Sequence, residues 1–233
     1  MFNIKYNNVQ PSAFNAWLAT IPVITPSTIS RTRQTVPKMD GELLVDDDSF
    51  MDAYIEFTIH LKRDDLQAKM RQIRKWLSGT GTLVISDAND AYYEVKEVVH
   101  TAYLKKDEKY GRVSVKMEVY PYEFLNSGND WITSYATINN TADTCKPIYE
   151  ITGNNASGTL TVNNHAMTFS GITGTLVIDT RTRTAYVTYN GSRTQADSKI
   201  NGDYEGLLLK SGSNTVSCTA GTLRIKPRWG FRI

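Results

Sequence analysis

Residues 53–61, AYIEFTIHL, alternate without a break: Ala53, Ile55, Phe57, Ile59 and Leu61 fall on one side, Tyr54, Glu56, Thr58 and His60 on the other. A period of two is that of a strand with one face buried. The next stretch has a different period. Leu66, Met70, Ile73 and Leu77 recur every three or four residues, with Trp76 at their border, and predict one amphipathic helix over 64–78. Asp64 and Asp65 lie at its start and Arg71, Arg74 and Lys75 toward its end, each sign where the helix dipole favours it. Gly79 is placed to close the helix in a left-handed conformation. Leu83–Ile85, Tyr92–Leu104 and Arg112–Tyr120 then read as strands, with turns at Asp87–Asp90 and Lys105–Lys109. A lone helix among strands must lay its stripe on a sheet.

Between residues 25 and 52 the periodicity fades. Pro26, Pro37 and Gly41 interrupt it, and a basic group (Arg31, Arg33, Lys38) precedes an acidic run (Asp46, Asp47, Asp48). A connection this long is a functional element or an extended arm. Beyond Ile148 the pattern changes again. Short strand-like runs recur every eight to twelve residues or so, at 148–152, 158–162, 166–169, 175–179, 184–189, 206–209, 215–219 and 222–226, separated by Gly, Asn and Ser. The expected organisation is a first β domain over 1–130, with helix 64–78 and an arm at about 25–52; a polar linker, 131–147; and an all-β sandwich over 148–233.

Composition changes this picture little. A net charge of +2 with 40% hydrophobic residues fits a packed core and excludes a disordered chain. Residues 1–144 carry 16 Lys and Arg against 19 Asp and Glu, and residues 145–233 carry 10 against 5, an asymmetry too small to name a polyanionic partner. The N-terminus lacks a signal-peptide pattern and no stretch is apolar enough for a membrane helix, so folding in a cytoplasm is expected.

Candidate chemistry is sparse. His60, His100 and His165 share no ligand spacing, and Cys145 and Cys218 stand far apart as reduced thiols. Gly79-Thr-Gly81 follows a helix instead of opening one, the reverse of a phosphate loop. The Asp87-Ala-Asn89-Asp90 turn has Tyr92 where a calcium loop needs Gly and Val98 where it needs Glu. Arg224, Lys226, Arg228 and Arg232, interleaved with Trp229 and Phe231, read as an edge strand with alternate residues in solvent rather than a nucleic-acid stripe. No cofactor or metal site is expected, and no enzymatic activity.

One resemblance covers nearly the whole chain. The helix with Trp76-Leu77, then Leu83-Val-Ile-Ser-Asp87, Asp90-Ala-Tyr-Tyr93 and a strand pair, resembles the distal tail protein family of long-tailed bacteriophages. Pro37-Lys-Met-Asp-Gly41 and Pro121-Tyr-Glu-Phe124 follow in the family's order. Pro147-Ile-Tyr-Glu-Ile-Thr-Gly153, Thr175–Asp179, Gly212-Ser-Asn214 and Leu223–Arg228 look like its galectin-like β-sandwich. The resemblance implies a mainly β fold: an N-terminal antiparallel β-sandwich carrying the helix and arm, then the galectin-like sandwich. It implies a structural virion protein at the tail tip, assembled in the host bacterial cytoplasm. Six copies would form a ring joining the tail tube protein to the tail-associated lysin or spike protein, and the sandwich would anchor receptor-binding proteins. Neither a membrane nor a specific nucleic-acid sequence is an expected partner. The arm's Arg31, Arg33, Lys38, Asp46, Asp47 and Asp48 would then pair between neighbouring subunits. Galectin-like sandwiches also suggest an alternative, a carbohydrate-binding module acting in host-surface adsorption, with Tyr186, Tyr189 and Trp229 as sugar or partner contacts.

Overall fold

The computed structural model describes residues 3–62, 65–86, 88–103, 110–133 and 135–233. Asp64, Asp87, Leu104 and the turn 105–109 lie outside these residues, as do the side chains of Asp48 and His100. The chain is mainly β and divides into two compact units, residues 1–123 with 232–233, and residues 124–231.

In the first unit the strands are β1 (Ile4–Tyr6), β2 (Ala16–Leu18), β3 (Val23–Thr25), β4 (Ile29–Gln34), β5 (Leu43–Phe50) and β6 (Ala53–Lys62). After the helix α1 (Leu66–Trp76) come β7 (Gly81–Ile85), β8 (Ala91–Tyr103) and β9 (Tyr110–Leu125). The sheet runs β1-β7-β8-β9-β6-β2, with β3 also on β6. The alternation of 53–61 is what fixes its register. Ile55 faces Met117, Phe57 faces Val115 and Ile59 faces Val113, and all six are buried. A slip of one residue would turn that whole row to solvent.

The helix lays Met70 and Ile73 on this core, and Leu77, one residue past its end, is buried with them. Leu66 packs at the edge, where one of its methyls occupies the space a Cβ on Gly111 would need. Trp76 stacks beside Phe14 at 5.2 Å and donates its indole N–H to the Tyr6 carbonyl at 3.0 Å. The helix is shorter than the 64–78 its pattern predicts. It opens after Asp65, which sits at φ 52° and makes no side-chain cap, and it closes at Leu77. Gly79 takes φ 76°, as expected of a left-handed residue, but two positions beyond the cap.

In the second unit β10 (Thr137–Asn140), β11 (Ile148–Val162), β12 (His165–Asp179), β13 (Thr184–Tyr189) and β14 (Ser192–Gln195) come first. They are followed by β15 (Ile200–Asn201), β16 (Gly212–Cys218) and β17 (Thr222–Lys226), and the chain closes with β18 (Gly230–Arg232), a member of the first sheet. β11 and β12 form one long hairpin, closed by Asn163-Asn164 with both φ positive, the two-residue turn that matches strand twist. Register shifts between Gly153 and Gly158 break the hairpin in two. Its open half pairs β17 and β13, and its turn half pairs β16 and β15. Where the spacing suggested four short runs, the chain makes two strands of 15 residues bent at a bulge.

Two expectations need correction here. Residues 131–147 do not form a linker but belong to the second unit. β10 pairs β16, Ile132 exchanges both backbone hydrogen bonds with Ile225, and Cys145 does so with Leu209. Asn140 is buried because its amide serves the Asp143 and Leu209 carbonyls while its oxygen accepts from Ala142 N–H. The stretch looked like a linker because its backbone is satisfied by distant partners, which local pattern does not register. Residues 206–209 are not a strand either. A 3₁₀ turn at Glu205–Leu207 delivers Leu207 and Leu209 to the core.

Candidate assembly surface

The stretch 25–52 is a two-stranded hairpin standing apart from both large sheets, with β4 paired to β5. Antiparallel register puts Arg31 opposite Asp46, and their side chains meet at 2.8 Å. Arg33 reaches Glu42 at 3.3 Å, and Asp47 accepts from Ser30 and Thr32 at 2.9 and 3.3 Å. Arg31 and Arg33 at the basic start of the arm therefore have carboxylate partners across the strands of their own chain. These exposed pairs add little stability, of the order of 0–1 kcal/mol each. Lys38 stands at the tip with φ 68°.

What the arm does not do is bury its apolar residues. Leu43 and Val45 lie on one face of β5 and Leu44 on the other, and Leu44 is 51% exposed. Val36, Met39 and Ile29 are exposed as well. At the root the pattern continues. All three residues of β3 are exposed, Val23 to 63%, and Met51 beyond β5 to 58%. Pairing β3 on β6 satisfies one side of its backbone and leaves the apolar side chains in water.

The root itself is tied down. Met51 N–H donates to the Thr28 carbonyl, and Ser27 donates both its N–H and its hydroxyl to the Ile233 carbonyl. Phe50 meets Tyr122 edge-on, and the Arg232 guanidinium lies 4.7 Å over the Phe50 ring. Lys96 binds the Asp52 carboxylate at 2.6 Å and lies over Tyr120. Burial raises the Glu118 carboxyl above its ordinary value, and the neighbouring Asp52 adds to the effect. Thr25, Phe50, Met51, Asp52 and Lys96 line a cleft of about 460 Å³ beside this root.

The second unit's candidate contacts do not converge. Tyr186 points to the outer face of β13 beneath the Arg193 guanidinium, while Tyr189, 54% exposed, follows the opposite parity at the strand's end. Trp229 is half-buried against the second core. Among the described residues no group of three or more His, Cys, Asp or Glu could hold a metal ion, and no helix is long and apolar enough to cross a membrane. Burial pushes the Cys145 thiol up to about 12, which leaves it un-ionised at neutral pH and poor as a nucleophile. His60 packs edge-on to Trp17. The surface signal that sequence reasoning missed is the exposed apolar set of β3 and β5. Its trace in the sequence is Leu43-Leu44-Val45, three apolar residues in a row, of which at least one must face water in a strand with only one buried face.

No protein-family model and no curated protein matches this sequence. Its fold does match solved structures. It is similar to the SPP1 Dit (gp 19.1) protein, described as a paradigm of hub adsorption apparatus in Gram-positive infecting phages, with TM-score 0.62 and 12% identity over 97% of each chain. It is also similar to a chain of the phage P2 baseplate in its activated conformation with Ca, with TM-score 0.52 and 10% identity over 96% of each chain. At these identities the shared property is the fold.

Proposed function

We propose that this chain is a structural hub of a phage tail tip, closing into a hexameric ring through its first unit. The observation that carries the reading is the arm. An isolated two-stranded hairpin is marginal in water, yet this one spends its apolar residues on open surface instead of on its own core. Exposed apolar residues gathered on one element in this way mark a protein–protein contact. A patch on one side of a subunit that meets a different patch on the next is the heterologous contact that generates rings. The arm of one copy would lie on the next copy, with main-chain hydrogen bonds at the free edge of β3 as further glue. The likeness to hub proteins on fold, and the ordered motifs of the sequence, point the same way.

On this reading the ring joins the tail tube protein to the tail-associated lysin or spike protein, and the second, galectin-like unit faces outward toward receptor-binding proteins. The protein acts in the virion, at the tail tip, after assembly in the host bacterial cytoplasm, and performs no catalysis. The test is mass by light scattering together with negative-stain imaging, alone and with the tube protein. Full-length chain should give six-fold rings, and deletion of residues 28–48 should give a folded monomer. Rings formed equally well by the deletion variant would overturn the role of the arm. A monomer under every condition, including with the tube protein, would overturn the hub.

A further inference from the structure

A basic cleft lies at one edge of the first sheet, where β2 runs beside β6. Ala16 is buried in the core, so Trp17 faces outward, and cross-strand register sets it beside His60. Asn15 enters β2 at φ 53° and, one step beyond the pair of Ala16 with Leu61, comes level with Lys62. Asn15, Trp17, Lys62 and Lys69 from α1 line a cleft of about 380 Å³, within the size range of small-ligand sites.

No carboxylate lines this cleft. Neither Lys62 nor Lys69 has an ion-pair partner among the described residues, although Lys69 is half-buried. Glu56, the first acid met along the outward row of β6, is already held by Lys116 at 3.0 Å. An ammonium drawn partly out of water without a counter-charge costs stability, and an arriving anion removes that cost. The Asn15 carboxamide is unspent too, with two donors and an acceptor open to a ligand.

The walls suit different parts of one molecule. Lysine is a compact point charge with three donors, which suits the tetrahedral oxygens of a phosphate. The Trp17 indole, braced edge-on by His60 at 5.9 Å between ring centroids, is a flat platform for a planar base. Trp17 and Lys62 are diagonal neighbours across the strands, about 7–8 Å apart at the backbone, a gap that a sugar bridges between base and phosphate.

We propose that this cleft binds a nucleoside phosphate, with the phosphate between Lys62 and Lys69 and the base on Trp17. Two sources carry that chemistry, a free nucleotide and one unit of a single strand. Arg112 distinguishes them. It lies across from His60 on β9, exposed and without an ion-pair partner among the described residues. That is two strand spacings from Trp17, about 10 Å, where a second phosphate of a strand would reach it. An acidic peptide would neutralise the two ammonium groups but has no use for the indole platform. The inference goes beyond ring assembly and stands whether or not the chain closes into a ring.

The experiment is isothermal titration of the full chain at one low salt concentration, because phosphate contacts weaken as salt rises. The probes are adenosine monophosphate, adenosine, inorganic phosphate, a glutamate oligopeptide and a short oligoadenylate strand. The nucleotide should bind about tenfold more tightly than adenosine, phosphate or the peptide. Lys62→Gln and Lys69→Gln should each weaken it about tenfold with thermal unfolding unchanged. Trp17→Leu should weaken it several-fold, and Trp17→Phe, which keeps a ring, should weaken it less. A strand that binds more tightly than the nucleotide, and loses that advantage in Arg112→Gln, supports the proposal with a single strand as the source. Equal binding of strand and nucleotide, indifferent to Arg112→Gln, supports it with a free nucleotide. Phosphate or the peptide binding as tightly as the nucleotide would reduce the cleft to a basic patch and overturn the proposal. So would absence of binding by both nucleotide and strand, or binding that neither lysine variant changes.

Discussion

Met70, Ile73 and Leu77 around the helix are almost wholly buried, whereas Leu43, Leu44 and Val45 on β5, residues of the same hydrophobicity, lie open to water. The difference is in what faces them. The helical stripe meets an inward row from β6 and β9, so each methyl finds partners in a dense core. The arm has two strands and no third layer, so its apolar side chains have nothing of their own to pack on. Hydrophobicity says only that a residue is better off out of water, and topology decides whether this chain or a second one supplies the shelter.

That comparison is broken most directly by truncation. Ile73→Ala or Leu77→Ala should cost about 2–5 kcal/mol, the range for buried large-to-small changes, read as a fall in the denaturant midpoint. Leu44→Ala in the arm should stay within about 0.5 kcal/mol for the isolated chain. If Leu44→Ala cost as much as Ile73→Ala, the arm would be packed in the monomer and the contrast would vanish.

The second unit offers a polar counterpart. Arg228 grips Asp179 through two hydrogen bonds of 2.8 and 2.9 Å, both side chains largely buried, whereas Arg31 and Asp46 in the arm make one bond in the open. Arg228→Met leaves a carboxylate with its desolvation uncompensated and should lower stability by about 2 kcal/mol, somewhat under the cost of a fully buried pair. Arg31→Met should be close to silent. Burial alone would raise the Asp179 carboxyl, but the hydrogen bonds and charge of Arg228 outweigh it and hold it below the ordinary range. The unfolded chain therefore takes up the proton first. Stability from this pair is present above about pH 4 and is lost as pH falls through the lower folded value. An acid unfolding curve should shift for Arg228→Met and not for Arg31→Met.

At the alkaline end the sign reverses. Burial pushes the Cys145 thiol up to about 12. It also pushes up Tyr204, to about 12, with the nearby Asp197 adding, and Tyr149, with Cys145 adding. The folded state keeps these protons after the unfolded chain has released them, so stability falls as pH rises above about 8.5 for the thiol and about 10 for the phenols. Cys145→Ala should flatten the first part of that decline. A decline of unchanged slope would assign it to Cys218, whose thiol burial also raises, and to the tyrosines.

The parts of this fold that could be read in advance are those where local pattern and tertiary partner agree. The strict alternation of 53–61 and the spacing of Leu66, Met70, Ile73 and Leu77 gave the strand, the helix and their buried faces. The misread stretches were those whose partners lie far away in the chain. Residues 131–147 look polar and idle until Ile132 meets Ile225 and Cys145 meets Leu209. The arm's charges were legible as residues but not as pairs, because register, not composition, sets Arg31 against Asp46.

The smallest expected effect sharpens the arm side of the contrast. Lys38 holds φ 68° at the tip, a left-handed conformation that costs a residue with a Cβ about 1 kcal/mol. Lys38→Gly removes that strain and frees the unfolded chain by a comparable amount, about 0.4–1 kcal/mol. The two terms nearly cancel, so the unfolding midpoint of the isolated chain should move by no more than a few tenths of a kcal/mol. The variant nevertheless keeps the backbone turn while deleting an exposed cation beyond the last pair of the β4–β5 ladder. If the arm reaches a neighbouring subunit, ring formation should change where stability does not. If both stay constant, the tip carries no contact, and the apolar residues of β5 alone must account for assembly.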